Sequence, residues 1–269
     1  MSTLGTILKD NWEWRSQIVQ LAFFDLKKQS RGAVLGWAWF ILRPAVYMFC
    51  FWFALSIGLR VGNVQPGMPP YILWLACGIL PWFFMQKILG QGVDVMHSYS
   101  YLVKKIKFPH SAISTMYVLS AMIIQLMLQV ALFAIYFICG QGFDWYLLQV
   151  PLLLVLMFVF WDMFSIMMSQ FTAVSKDVKN FMGAITTPLF WLSGVLFSIK
   201  DVHIDGVQQV LYFNPISFFV TGFRDALYEK TWIWDDPMLC IGFAIVFALT
   251  LAGMLISYSR LDEGVVDVL

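Results

Sequence analysis

The stretch Ala112–Ile138, AISTMYVLSAMIIQLMLQVALFAIYFI, decides the fold class of this chain because it contains no charged side chain. An α-helix rises about 1.5 Å per residue and the hydrocarbon core of a bilayer is about 30 Å thick, so roughly 20 such residues cross it. Strands of membrane barrels alternate apolar and polar residues, whereas this run is continuously apolar. The stretch therefore predicts a transmembrane helix.

The composition of the whole chain agrees with lipid as its solvent. Of the 269 residues, 60% are hydrophobic and 12% are charged, whereas soluble domains carry roughly a quarter charged residues. We therefore expect an all-α integral membrane protein that forms one transmembrane domain over residues 1–269. Apolar runs of sufficient length predict six spans, at Trp37–Leu59, Pro70–Leu89, Ala112–Ile138, Leu147–Phe171, Phe181–Ile199 and Met238–Tyr258.

Basic side chains give the predicted spans a direction. They concentrate in the N-terminal segment and in the second–third and fourth–fifth connections. Because cytoplasmic connections carry the excess of lysine and arginine, both termini are predicted to lie on the cytoplasmic side of a cell membrane. The bias rests on Lys9, Arg15, Lys27, Lys28, Arg31, Lys104, Lys105, Lys107, Lys176, Lys179 and Arg260 on one side, against Arg60, Lys200, Arg224 and Lys230 on the other.

Two segments are expected to lie at the membrane without crossing it. Residues 8–32 place polar side chains at near-helical spacing between Trp14, Ile18 and Phe24, which predicts an amphipathic helix in the cytoplasmic interface. This helix is either an anchor or a cuff that positions a partner or the first span. After the fifth span, residues 200–231 contain apolar pieces too short to cross, which predict a re-entrant hairpin on the extracellular side.

Polar groups inside the spans are candidates either for function or for helix packing. Arg43 and Pro44 follow the start of span one, where the proline predicts a kink and the arginine can reach the interface. Asp162 lies in span four, and Gln125 and Gln129 lie one turn apart in span three. Interhelical hydrogen bonds account for them better than proton transport, which usually needs several buried carboxylates.

Aromatic residues are dense, with 12 Trp, 10 Tyr and 25 Phe, and many of them fall in spans one and two. Belts at the two membrane interfaces and lipid-facing packing account for most of these rings. Aromatic faces also stack on the apolar faces of sugar rings. A lining for a sugar polymer is therefore the alternative interpretation.

The sequence does not indicate other chemistry. It has no GxxxxGK[ST] phosphate loop, its three His residues are scattered, and its four Cys residues lack CxxC spacing. We therefore expect no catalytic residue, metal site or bound cofactor in this chain, and ATP and Mg²⁺ would belong to a separate subunit. The net charge of +1 gives no indication of a nucleic-acid partner.

Short motifs follow one another from the first span to the C-terminus. They are Leu35-Gly36-Trp37-Ala38-Trp39, Leu42-Arg43-Pro44, Gly78-Ile79-Leu80-Pro81-Trp82-Phe83-Phe84, Lys107-Phe108-Pro109, Ser175-Lys176-Asp177-Val178-Lys179, Asn214-Pro215-Ile216-Ser217, Phe223-Arg224-Asp225 and Val266-Asp267-Val268-Leu269. In this order they resemble the membrane subunits of ABC-2 type transporters that export teichoic acid, O-antigen and capsule polysaccharide. The family more often has Arg-Asp where Lys176-Asp177 stand. Phe51-Trp52-Phe53 and Gly58-Leu59-Arg60 are most similar to the teichoic-acid permeases of Gram-positive bacteria.

The resemblance implies how such a protein works. A homodimer of this chain would pair with two copies of a separate ATPase and export an undecaprenyl-diphosphate-linked polymer, wall teichoic acid above all. Residues 95–109 would contain the coupling helix, and the hairpin would close the path on the outside. The implied residues are Tyr99, Tyr101, Lys104, Lys105, Lys107 and Phe108 for coupling; Trp37, Phe40, Arg43, Tyr47, Phe51, Phe53, Phe181, Phe190, Trp191 and Phe197 for the substrate pathway; and Asn214, Pro215 and Arg224 for the gate.

Other functions are open at this point. A secondary transporter driven by an ion gradient would depend on Asp162. A membrane-embedded transferase would need a set of catalytic residues that the sequence does not display. Among exporters, O-antigen and capsule polysaccharide are the alternatives to teichoic acid.

Overall fold

The computed structural model describes residues 3–59, 69–106, 108–204 and 206–268, with side chains except at 103, 105, 106 and 261–268. Arg60, Lys107 and Leu269 lie outside the described residues, as do the side chains of Lys105 and of residues 266–268. Within the described part all regular secondary structure is helical, which confirms the all-α prediction.

The described residues form twelve α-helices. They are α1 (Thr3–Glu13), α2 (Arg15–Ser30), α3 (Trp39–Trp52), α4 (Tyr71–Gly90), α5 (Val95–Ser98), α6 (Ser100–Ile106), α7 (His110–Ile138), α8 (Gln149–Val174), α9 (Lys176–Leu192), α10 (Val207–Tyr212), α11 (Pro215–Arg224) and α12 (Pro237–Val268). Short 3-10 helices cover Gly36–Ala38, Gly92–Asp94, Trp145–Leu148, Ile199–Asp201 and Ile233–Asp235, and π-helical turns cover Phe53–Gly58 and Asp225–Glu229. Helix α3 continues through Pro44, and its irregular turn follows at Phe53–Gly58.

Five stretches of the described chain are long and apolar enough to cross a membrane. They are Gly36–Gly58, Tyr71–Leu102, His110–Ile138, Trp145–Val174 and Pro237–Arg260. Each overlaps one of the predicted spans, so five of the six are present as helices of suitable length. The architecture is that of a multi-pass helical membrane protein.

The helix at the predicted fifth span is shorter than the sequence suggested. Helix α9 begins at Lys176 and ends at Leu192 instead of Ile199, which makes it about 26 Å long. It ends there because Gly194 has φ +70°, the left-handed conformation that stops an α-helix. A Cβ at Gly194 would lie 2.5 Å from Cγ2 of Ile199, so the tight turn also requires glycine.

Helix α4 forms the centre of the fold and is surrounded by α3, α7, α9 and α11. In the apolar stretch that contains α4, 72% of the residues are buried, whereas only 11% are buried in the first span. Helix α9 likewise buries few residues, and Phe181 and Trp191 on it are exposed. A broad apolar surface of α3 and α9 is therefore not covered by the other residues that the structure describes.

The N-terminal segment forms two helices instead of the single helix predicted over residues 8–32. The chain leaves helical geometry at Trp14, where φ is −93° and ψ is 10°. Helix α2 lies against α7, while Phe23 and Phe24 point outward and are 49% and 70% exposed. The stripe that α2 buries has helical spacing and consists of Ile18, Ala22, Asp25 and Leu26.

Helices α10 and α11 occupy the region predicted as a hairpin, residues 200–231. Oδ1 of Asn214 accepts a hydrogen bond from the backbone N–H of Ile216, and Pro215 fits the first turn because no donor is needed there. With ten residues, α11 is about 15 Å long, half the thickness of a bilayer core. It is buried along most of its length between α4, α8 and α12.

Candidate functional site

The connection between α4 and α7 contains the residues predicted to contact a partner. The side chains of Tyr99 and Phe108 point inward and are buried, and the ring of Phe108 packs edge-on against Trp14 at 4.8 Å. Tyr101 and Lys104 are exposed. The predicted coupling set therefore divides into residues that hold the connection in place and residues that a partner could reach.

Asp25, which the sequence analysis did not single out, holds this connection to the N-terminal helices. Its carboxylate is 5% exposed and accepts hydrogen bonds from the hydroxyl of Tyr99 and from Oγ of Ser120 at 2.5 Å. Nε2 of Gln29 donates a third bond at 2.6 Å. Tyr99 lies in the connection and Ser120 lies in α7, so one side chain joins three segments. Hydrogen bonds to a charged group stabilise by roughly 1.5–3 kcal/mol each.

A chain of polar contacts extends from Asp25 to α4. Oε1 of Gln29 accepts a hydrogen bond from Nζ of Lys87 at 3.0 Å, and this ammonium lies 5.5 Å from the ring centroid of Tyr117. The hydroxyl of Tyr117 donates to Oε1 of Gln91 at 2.7 Å. The N-terminal helix and the end of α4 are thus held by side-chain hydrogen bonds as well as by apolar packing.

A second buried carboxylate, Asp94, fixes the start of the same connection. Its Oδ2 lies 2.6 Å from Nζ of Lys179 in α9, and its Oδ1 lies 3.0 Å from Nδ1 of His97. The carbonyl of Val93 accepts a hydrogen bond from Oγ1 of Thr172 in α8 at 2.5 Å. The connection is therefore tied to α2 through one carboxylate and to α9 through the other.

The sequence contains a pattern that indicates a buried position for Asp25. It is the single carboxylate between residues 14 and 93, and it falls within a helical stripe of Ile18, Ala22 and Leu26. A charged residue in register with buried apolar residues indicates a paired, functional or structural role. Its principal partner, Tyr99, is distant in sequence, so the pairing itself could not be derived.

Near the other end of α4, the guanidinium of Arg224 lies in a cradle of backbone carbonyls. Nη1 donates to the carbonyl of Gly194 at 2.6 Å and to that of Phe197 at 3.0 Å, and Nη2 donates to Val195 at 2.5 Å. Its Cζ lies 3.5 Å from the ring centroid of Trp74. Arg224 is 4% exposed, so these contacts replace its hydration.

The cradle is made where α9 ends and α4 passes close by. The carbonyls of Gly194, Val195 and Phe197 lie in the irregular segment after Leu192, so the α-helix does not use them and they can accept from a guanidinium. Gly78 permits the approach, since a Cβ there would lie 2.5 Å from Nη2 of Arg224 and 2.7 Å from the Val195 oxygen. The neighbouring carboxylate, Asp225, pairs with Lys200 at 2.7 Å.

The predicted gate residues meet at this same turn. Nδ2 of Asn214 donates to Oγ of Ser193 at 2.8 Å, and Oγ of Ser217 donates to the Ser193 carbonyl at 3.2 Å. Pro215 begins α11 and Arg224 ends it. The Asn-Pro motif and the arginine therefore hold both ends of α11 to the turn that follows α9.

Several predicted pathway rings meet where α3 and α9 approach each other. The centroid of Phe190 lies 5.4 Å from that of Phe51 and 6.3 Å from that of Tyr47, and Phe51 lies 6.3 Å from Trp191. Phe190 is buried against Trp82 inside the chain. Tyr47 and Trp191 are 41% and 56% exposed. The exposed rings are those that a substrate or a second copy could contact.

The remaining pathway residues are not brought together into one group. Trp37 and Phe40 contact each other at 6.1 Å near the start of the first span. Phe53 is exposed at the start of the π-helical turn after α3, and Phe181 is exposed on α9. Phe197 contributes its carbonyl to the arginine cradle. Their role in transport stays a prediction.

The intramembrane polar residues behave differently from one another. Oδ2 of Asp162 accepts a hydrogen bond from Oγ1 of Thr115 at 3.0 Å, which is the interhelical bond expected for it. The amides of Gln125 and Gln129 are buried and make no hydrogen bond within the described part of the chain. The predicted interhelical hydrogen bond is therefore present for Asp162, whereas Gln125 and Gln129 have no such bond among the described residues.

The fold is a multi-pass helical bundle with a short buried helix held beside its centre, and comparison with known proteins identifies its family. Residues 16–228 match the family described as ABC-2 type transporter. This chain belongs to that family and is the permease subunit of such a transporter. The resemblance drawn from the sequence motifs is confirmed at this level.

Two relatives extend over nearly the whole chain. The O-antigen export system permease protein RfbA of Myxococcus xanthus is 21% identical over 261 residues, which cover 96% of this chain and 97% of the relative. The protein of the same name from Klebsiella pneumoniae is 20% identical over 247 residues, which cover 91% of this chain and 92% of that relative. The teichoic-acid resemblance stays a prediction.

Replacing Tyr99 with Phe should loosen the Asp25 junction, because the ring remains while one donor to a buried carboxylate is lost. We expect a loss of about 1–3 kcal/mol in unfolding free energy, and faster amide hydrogen exchange in α2. Tyr101→Phe is the matched control, because that ring is exposed and should leave both measurements unchanged. Equal effects of the two substitutions would contradict the proposed role of the junction.

Replacing Arg224 with Lys should release the turn after α9. A lysine ammonium cannot present the planar fork that reaches the carbonyls of Gly194, Val195 and Phe197 together. Each buried carbonyl left without a donor costs about 1–3 kcal/mol. Hydrogen exchange should therefore rise in α11 and in residues 193–199, while Arg31→Lys on the exposed N-terminal segment serves as control. Unchanged exchange in Arg224→Lys would show that the cradle does not hold the hairpin.

Proposed function

We propose that this chain is the permease half of an ATP-driven exporter that moves a cell-surface polysaccharide, linked to undecaprenyl diphosphate, across a bacterial cell membrane. Membership of the ABC-2 family carries this proposal. The names of two relatives, which are O-antigen export permeases, support a polysaccharide as the class of cargo. A separate ATPase binds ATP and Mg²⁺, and this chain contributes the path through the bilayer.

In the proposed topology the chain crosses the membrane six times. Helix α9, together with the turn that follows it, makes the fifth crossing, and α10 and α11 form a hairpin that enters from the outside. An even number of crossings puts both termini on one side, and the distribution of basic residues makes that side cytoplasmic. The length of α11, about 15 Å, suits a helix that enters half of the bilayer.

Two copies of the chain form the conduit in this proposal. The low burial of the first span, 11%, together with the exposed rings of α9, supports a second copy beside these helices. Exposed rings such as Tyr47 and Trp191 would then face the space between the copies, where sugar rings can stack on them. The buried ring of Phe190 would pack against Tyr47 and Trp191 from inside the chain.

The connection between α4 and α7 receives the motion of the ATPase. Tyr101 and Lys104 are exposed where a soluble partner could dock. The contacts of Tyr99 with Asp25 and of Asp94 with Lys179 link that surface to α2 and α9. Nucleotide-driven closure of the ATPases would shift these helices between two arrangements.

The nature of the polymer is tested by depleting the protein from its host. If the chain is an exporter, its depletion should leave the lipid-linked polymer complete but trapped on the cytoplasmic side. The composition of the trapped polymer will distinguish teichoic acid from O-antigen or capsule. If polymer synthesis stops instead, the transferase alternative is favoured. If Asp162→Asn abolishes export and export persists without an ATPase, the chain is a secondary transporter.

Replacing Tyr101 with Ala should uncouple ATP hydrolysis from export. We expect the complex to assemble and to hydrolyse ATP while polymer transport falls by about tenfold or more, because a contact that transmits motion is lost. Trp145→Ala is the matched control, since this ring is exposed at the opposite end of α7. Transport in inverted vesicles and ATPase activity should be measured on the same preparations. Normal transport by Tyr101→Ala would rule out its role in coupling.

A further inference from the structure

A cavity of about 620 Å³ lies between the end of α2, the first span, α4 and α7. It is formed by one chain and includes Phe40 and Arg43 of the predicted pathway, but not the rings of the α3–α9 contact. Ligand cavities of about 300–1,000 Å³ are typical of small-molecule sites. Its lining combines apolar residues such as Trp39, Phe83 and Leu128 with the polar residues Arg43, Lys87 and Gln125.

Gln125 is the first sign that the cavity has an occupant. Its side chain is fully buried, it lines the cavity, and neither amide atom has a hydrogen-bond partner in the described part of the chain. A buried amide without partners costs about 1–3 kcal/mol for each unsatisfied group. If this side chain rotates toward the cavity, a ligand that offers both an acceptor and a donor removes this cost.

Two cationic side chains line the same cavity. Arg43 and Lys87 form no ion pair with a carboxylate among the residues that the structure describes. Lys87 is held by a neutral amide oxygen of Gln29, and the Cζ of Arg43 lies 5.9 Å from the Trp39 ring. Asp25 interacts electrostatically with Lys87 across Gln29, but neither cation contacts a carboxylate directly, so both can pair with a phosphate diester, which accepts charge-assisted hydrogen bonds.

The position of the cavity identifies the kind of phosphate. Gln29, Ala33 and Gly36 line it where the N-terminal segment meets the start of the first span, which is a membrane boundary. Ile124 and Leu128 line it farther along α7 and are apolar. A ligand with a charged head at the boundary and a hydrocarbon body fits this arrangement. In the proposed topology this boundary is the cytoplasmic one. Basic pockets between spans on the cytoplasmic side of a membrane bind anionic lipid head groups.

We propose that the cavity binds one anionic glycerophospholipid from the leaflet beside the N-terminal helices, as a resident lipid and not as cargo. Arg43 and Lys87 pair with its phosphate, Nε2 of Gln125 donates to a glycerol ester oxygen, and Oε1 of Gln125 accepts from a head-group hydroxyl such as those of phosphatidylglycerol. The lipid joins the first span to α4 beside the Lys87–Gln29 contact. This inference is independent of which polymer is exported, so it can fail while the proposed function stands.

Gln125→Leu tests the proposal, and the chain provides its control. Gln129 is one turn away, equally buried and equally without a partner, but it does not line the cavity. Native mass spectrometry of the full chain, purified with its ATPase in detergent, should show phosphatidylglycerol retained in preference to phosphatidylcholine. Retention should fall about tenfold in Gln125→Leu, which equals about 1.4 kcal/mol, and should not change in Gln129→Leu.

Thermal unfolding gives a second measurement that does not depend on lipid surviving purification. Added phosphatidylglycerol should raise the unfolding midpoint of the wild type and of Gln129→Leu, but not that of Gln125→Leu. The double variant with Arg43→Gln and Lys87→Gln should lose the preference for phosphatidylglycerol over phosphatidylcholine, because the cations supply that selectivity.

Three results would overturn the proposal. One is equal retention of phosphatidylglycerol by Gln125→Leu and Gln129→Leu. Another is displacement of bound phosphatidylglycerol by an equal amount of undecaprenyl diphosphate, which would make the cavity a cargo site. The third is stabilisation by inorganic phosphate alone to the same extent as by the lipid, which would remove any role for the apolar half of the cavity.

Discussion

The buried guanidinium of Arg224 is the interaction on which the arrangement of the central helices depends. A charge taken out of water is costly unless hydrogen bonds replace its hydration, and here the carbonyls after α9 and the face of Trp74 do so. That solution requires α9 to stop, so that the carbonyls of the turn after it are available. It also requires a glycine at position 78, so that α4 can approach. The short α11 is consequently fixed between α4 and the end of α9.

Helix α9 connects this block to the other side of the molecule. Its first turn carries Lys179, which pairs with Asp94 beside the coupling connection, and the turn that follows it supplies the carbonyls for Arg224. Both ends of one short helix are therefore held by charged groups, while its outer surface makes few contacts within the chain. A helix whose two ends are held by charged contacts and whose side is free can move as a rigid body. In the proposed exporter this property allows a displacement at the coupling connection to reach the hairpin.

Much of the fold was predictable, because bilayer thickness sets the length of apolar helices and five such stretches are present. The burial of Asp25 on α2 was not predicted. The sequence indicated an amphipathic helix in the interface, and Phe23 and Phe24 do point outward, while the inward stripe includes the charged Asp25. In a membrane, lipid is as apolar as the core, so a helix gains little by turning apolar residues inward and more by satisfying its polar ones. Gln29 is a local partner of Asp25, whereas Tyr99 and Ser120 are distant in sequence and could not be derived from local patterns.

The same physical argument limits what exposed aromatic rings show about a path. An exposed ring on α3 or α9 is stable against lipid, against a second copy or against a sugar, since all three offer apolar surface. Burial is more informative, because the enclosure of Phe190 between Trp82 and Phe51 makes it a support for the α3–α9 contact. Polar groups discriminate further, because hydrocarbon cannot satisfy them. The hydroxyl of Tyr47 and the indole N–H of Trp191 are therefore stronger indications of a polar neighbour than the hydrocarbon ring of Phe181.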